Sequence, residues 1–210
     1  KSYGFAGSLA FNTLTNVTDA HISADAVVAA GDAITIIATD GSAVDVLAGN
    51  FAYADSISVG AAFAKNAINN ITRAFIDNSI VTADNVSLNA GSTGSIDTIT
   101  IGGAGAESFA LGGSVSLNEI GNTIDAHIAN NAAVTASGQI SVTAVDGTNI
   151  DAFAGGVAGA ESAAIGAAVA TNDISNIVSA YIDGSTVAGN GIALNAASSG
   201  SIDTITIGGA

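Results

Sequence analysis

Short stretches of this chain alternate apolar and polar residues with a period of two. AITIIA (33–38), NVSLNA (85–90), QISVTA (139–144) and GIALNA (191–196) all do so. One side of the first three reads Ile34, Ile36, Ala38, then Val86, Leu88, Ala90, then Ile140, Val142, Ala144. That period predicts strands with one buried face. Turn residues bound them: AAGD and ATDGS around the first, ASGQ and VDGT around the third. A second set alternates in the same way, with Thr18, Ala20 and Ile22 on one side and Ile124, Ala126 and Ile128 on one side. No helical stripe of useful length occurs. The segment AGAESAAIGAAVATNDI (158–174) is ambiguous, because Ala favours helix; its glycines and its alignment with LGGSVSLNEI (111–120) favour strand.

The second set is a repeat. It reads TDAHI at 18–22, VDVLA at 44–48, TRAFI at 72–76, IDTIT at 96–100, IDAHI at 124–128, IDAFA at 150–154, VSAYI at 178–182 and IDTIT at 202–206. The steps are 26, 28, 24, 28, 26, 28 and 24 residues, so the pattern recurs after 106. Ten residues, SIDTITIGGA, are identical at 95–104 and 201–210. A strand-rich unit of about 26 residues cannot bury its own face and must stack on its neighbours. The expected fold is all-β: a parallel β-solenoid of about eight coils of ~26 residues, with a four-coil super-repeat of 106. Residues 1–210 form one continuous segment with a super-repeat boundary near 106, expected to be cut from a longer array. An antiparallel sandwich is the alternative, but it leaves the regular register unexplained.

With one coil per unit, the inward ladder would run Thr18, Val44, Thr72, Ile96, Ile124, Ile150, Val178 and Ile202. The absence of Pro agrees, because an interior strand needs its N–H. Composition adds limits. Of 210 residues 49% are hydrophobic, mostly Ala, Val and Ile, so the core must be thin. Net charge is −15 with three Lys and Arg, which argues against nucleic acid as a partner. No Cys means no disulfide framework, and no uncharged apolar run is long enough for membrane insertion.

The arrangement A-x-V-x-A-x-G-x-I-x-V-x-A, as in AAVTASGQISVTA (132–144), resembles the repeats of bacterial filamentous haemagglutinin-type adhesins. GGSVSLNEIGNTIDAHI (112–128) is similar to the Gly/Ala-rich repeats of very large leukotoxin-like surface proteins. The resemblance covers the whole chain and rests on composition and spacing. It implies a right-handed solenoid, secreted and displayed at the cell surface as a stalk, filament or adhesin, with no catalytic residues.

Two columns of the repeat carry candidate chemistry. One holds Asp19, Asp45, Arg73, Asp97, Asp125, Asp151, Ser179 and Asp203. On a ~26-residue coil, Asp97, Asp125 and Asp151 would stand in a row about 4.8 Å apart. The row reads as a solvated acidic edge; the sharper reading is a Ca²⁺ ladder, with Ca²⁺ the one candidate cofactor. The other column holds His21, Phe75, His127, Phe153 and Tyr181 among aliphatics. It is expected to face outward as an interaction stripe. Asn12, Asn66, Asn118 and Asn172, and Asn16, Asn70, Asn122 and Asn176, would skip alternate coils and mark corners. Gly102 and Gly103 lack the Lys and helix of a phosphate loop. The function expected is a non-catalytic structural or adhesive fibre segment. Its partners would be other copies, end to end and laterally, and cell-surface glycans. A carbohydrate-active β-helix enzyme and a Ca²⁺-stabilised stalk are the alternatives.

Overall fold

The computed structural model describes all 210 residues, and every regular element in it is a strand. The first circuit of the chain comprises β1 (Tyr3–Leu14), β2 (Val17–Ile22), β3 (Val27–Ala29), β4 (Ala33–Asp40) and β5 (Ala43–Ala54). The second comprises β6 (Ile57–Ile68), β7 (Ile71–Asp77), β8 (Ile80–Ala83), β9 (Asn85–Ser92) and β10 (Ser95–Ala106). The third comprises β11 (Phe109–Ile120), β12 (Thr123–Ala129), β13 (Ala133–Ala136), β14 (Gln139–Asp146) and β15 (Asn149–Ala160). The fourth comprises β16 (Ala163–Ile174), β17 (Ile177–Ile182), β18 (Thr186–Ala188), β19 (Gly191–Ser198) and β20 (Ser201–Gly209). Equivalent strands pair in parallel, giving five sheets of four strands. The protein is a parallel β-solenoid, as the repeats predict, and 158–174 comprises the end of β15, a bend at 161–162 and β16, with no helix.

The coil is twice as long as expected. Tyr3 pairs with Ile57, Ile57 with Phe109 and Phe109 with Ala163, so the register shifts are 54, 52 and 54 residues. There are four coils, not eight, and 106 residues make two of them. Each coil carries two copies of the motif, one on β2 and one on β5, in different sheets. The single expected ladder therefore splits in two. Thr18, Thr72, Ile124 and Val178 form one, and Val44, Ile96, Ile150 and Ile202 the other. Both half-coils share the same alternation and nearly the same length, so spacing alone does not separate them.

The coil has two parts in cross-section. The sheets of β2, β3 and β4 enclose one core, which includes Ile76, Val81, Leu88, Ile128, Val134 and Ile140, all fully buried. The inward residues read from 33–38, 85–90 and 139–144 lie in it or against it. The long strands β1 and β5 and their equivalents instead pack face to face as a flat blade. Their inward side chains are small: Ala6, Ser8 and Ala10 on β1, and Ala110, Gly112, Ser114 and Ser116 on β11. The two sheets close to backbone contact. A Cβ on Gly102 would lie 1.8 Å from the Gly113 carbonyl oxygen, and one on Gly112 would lie 2.0 Å from that of Val157. No side chain fits there, which is what Gly102 supplies; Gly103 points to the other face, against the Phe51 ring. A small cluster, Ile68, Ile96, Ile120 and Ile150 with Leu14 and Ile174, lies between the blade and the prism formed by the sheets of β2, β3 and β4.

Candidate functional site

Parallel stacking turns each outward position into a file of four side chains. On the sheet of β2, β7, β12 and β17 the file is His21, Phe75, His127 and Tyr181. Adjacent rings stack nearly parallel, with centroids 4.7, 5.0 and 4.9 Å apart. That spacing is the strand spacing itself, so the sheet imposes the stack. Phe153, expected in this stripe, is not part of it. It lies on β15 between Ile99 and Ile205.

The neighbouring file is Asp19, Arg73, Asp125 and Ser179. Arg73 donates two hydrogen bonds to Asp19, Nε to Oδ1 at 2.8 Å and Nη2 to Oδ2 at 2.7 Å. This fork holds the Asp19 carboxyl below the usual carboxylate range and raises the guanidinium in turn. His127 is 8% exposed, with Nδ1 3.0 Å from Asp125 Oδ1 and Nε2 3.4 Å from Asp77 Oδ1. Burial, then the charges of Asp125 and Asp77, raises the Tyr181 phenol.

On the sheet of β5, β10, β15 and β20 the acidic file is Asp45, Asp97, Asp151 and Asp203. Beside it run Leu47, Ile99, Phe153 and Ile205, and together they line a shallow concavity of about 580 Å³. Burial and the flanking charges of Asp151 and Asp45 push Asp97 above its ordinary value. The expected Ca²⁺ row does not form. Asp125 stands on another sheet from Asp97 and Asp151, and no group of three or more His, Cys, Asp or Glu is gathered to hold a metal ion.

The asparagines also differ from expectation. Asn12, Asn66, Asn118 and Asn172 stand on successive coils and do stack. Asn12 Nδ2 donates to Asn66 Oδ1 at 2.9 Å, Asn66 to Asn118 at 2.8 Å, and Asn118 to Asn172 at 2.7 Å. At the first corner, the backbone N–H groups of Asn16, Asn70 and Asn122 donate to the side-chain oxygens of Asn70, Asn122 and Asn176. The left-handed corner positions belong to other residues, among them Asn78, Asn130 and Asn131. The clue was present in the sequence: both Asn sets are spaced 54, 52 and 54, the true coil lengths.

The outer face of the blade is apolar as well. Phe5, Leu9 and Phe11 on β1 are exposed; Val59 and Leu111 continue the file of Phe5, Phe63 and Val115 that of Leu9, and Lys65 and Leu117 that of Phe11. Fold and surface together define a parallel β-solenoid repeat protein, uniform along its axis. No family model matches the chain, and neither curated proteins nor solved structures yield a match.

Proposed function

We propose that the chain is a structural segment of a secreted bacterial surface fibre, of the filamentous haemagglutinin kind, whose role is extent and not catalysis. The observation that carries this reading is uniformity. Each outward file passes through all four coils, and the sequence repeats after two of them. A catalytic centre needs a unique constellation, whereas here His21 recurs at His127 and Asp97 at Asp203. The apolar and aromatic files are the surfaces offered to neighbouring fibres and to glycans. The test has two arms. Tandem chains should lengthen by roughly 10 Å per added 106 residues, two strand spacings, seen by small-angle scattering. Antibody labelling of intact producing cells should find the repeats outside. Globular tandem chains, or labelling only after lysis, would overturn the proposal.

A further inference from the structure

The blade has two outer faces, and they differ in relief. On the sheet of β1, β6, β11 and β16 the relief is the same in every coil. A file of small residues, Gly7, Ala61, Gly113 and Ala167, runs parallel to the solenoid axis. On either side of it stands a file of large apolar residues, that of Phe5 and that of Leu9. The result is a trough between two ridges. In the inner coils, each with a coil above and below, Val59, Phe63, Leu111 and Val115 still reach solvent. The sheet of β5, β10, β15 and β20 lacks this regularity. There Phe51 is followed by Gly103 and then Val157 in one file, and the Asp45 file adds carboxylates in every coil.

We propose that the ridged face packs against the same face of a second copy, the two solenoids side by side and parallel, related by a two-fold axis that runs along the fibre. This names the lateral partner of the fibre proposed above and rests on that reading only for its biological purpose.

Charge selects a second copy over other partners. The chain carries a net charge of −15, yet this face holds only Lys65, Glu119 and Asp173, all in the two files nearest the prism. The two-fold sends the Glu119 file of one copy to the Tyr3 file of the other, so acid does not meet acid. A lipid surface matches poorly, because no belt of Lys or Arg rims the face and an anionic bilayer repels so acidic a chain. A polysaccharide needs polar groups to fix its orientation, and the three central files have no polar side chain. Size agrees with a dimer: strands of 12 residues span about 40 Å and four coils about 19 Å, so the face offers about 760 Å² per copy, close to the roughly 800 Å² of a stable protein interface.

Relief sets the register. With the two-fold between the Gly7 and Leu9 files, the Leu9 file of each copy lies over the Gly7 file of the other, ridge in trough, as in the dry interfaces of packed sheets. The Phe5 file then covers the partner's Phe11 file, and the Tyr3 file covers the partner's Thr13 file. An axis on the other side of the trough leaves the Phe11 and Thr13 files bare. Lys65 falls in an outer file, where its stem covers apolar surface and its ammonium reaches the rim. Each coil meets the same coil of the other copy, so the match continues through every 106-residue repeat.

The chain has no Cys, which allows a face-specific probe. Ala61→Cys chains mixed with Phe63→Cys chains should be joined one to one by a bis-maleimide with a two-carbon spacer. Ala61→Cys chains mixed with Ile101→Cys chains, substituted on the opposite face, should not be. Copies stacked along the axis would hold these positions about 19 Å apart, beyond the reagent. Val115→Asp added to both partners should cut the joined product by about tenfold or more, because docking would desolvate unpaired carboxylates at the centre of the interface. All four positions point outward, so circular dichroism should show the fold unchanged. No joined product, an equal yield with Ile101→Cys, or a yield indifferent to Val115→Asp would overturn the interface. So would capture of the native chain by phosphatidylcholine–phosphatidylglycerol vesicles that Val115→Asp abolishes, which would give the face to lipid. Tandem chains lengthen in scattering whether or not this face pairs, so the fibre reading stands or fails separately.

Discussion

Asp97 stands in the middle of an acidic file, and its proton is held more tightly in the fold than in the unfolded chain. A carboxyl with a raised folded value loses stability when it ionises. Stability should therefore increase as pH falls through that raised value, until the unfolded group is protonated too. Asp97→Asn should raise the melting temperature at pH 7 and flatten this part of the pH profile, measured by circular dichroism from pH 4 to 8. Asp19 has the opposite sign. Its lowered folded value makes the Arg73 pair a contribution present above the unfolded carboxyl range and lost as pH falls through the folded one. The pair is largely solvated, so Arg73→Ala should cost only about 0.2–1 kcal/mol. Asn66 and Asn50 differ in the same way. Asn66 is fully buried, donates to Asn118 and Thr98, and accepts from Asn12. Asn66→Ala strands those partners and should cost about 1–3 kcal/mol. Asn50 takes the place of Gly102 and Gly156 in its file, and both its side-chain polar atoms are buried without a partner. Asn50→Ala should gain on the order of 1 kcal/mol in urea unfolding.

At the scale of elements, prism and blade are held by different means. The prism relies on Ile, Val and Leu ladders, where Ile128→Ala should cost about 2–5 kcal/mol through the lost side chain and the cavity it leaves. The blade has almost no side-chain volume and relies on the approach of two backbones. There addition, not removal, is the damaging change. Gly112→Ala puts a methyl group against the Val157 carbonyl and should cost about 1–3 kcal/mol or more. Gly113, its sequence neighbour, points outward, where an added Cβ would have an ordinary contact at 3.6 Å with Ala167. Gly113→Ala should be close to neutral, and the contrast in urea midpoints tests the backbone contact directly.

For the whole molecule, stability is a sum over coils and the interfaces between them. Adding a third 106-residue unit adds interfaces without adding ends, so the longer chain should melt at a higher temperature. Equal melting temperatures for the two lengths would mean that coils do not stabilise one another. Much of this architecture is legible in the chain itself. Period-two alternation set the strands and their buried sides, and the recurrence of the pattern after 106 residues set the stack, because a one-dimensional array must repeat its contacts. The length of the coil was not legible in the motif steps, although the Asn spacing held it. A strand motif records which side is buried, not which sheet it joins, and β2 and β5 carry the same record. Tertiary pairing alone separated them. It moved Asp125 away from Asp97 and Asp151, took Phe153 out of the aromatic file, and turned two sets of asparagines into continuous hydrogen-bond ladders. The glycines show the same division: their number was visible in the sequence, but only the facing sheets decide which of them stand where a backbone leaves no room for a Cβ.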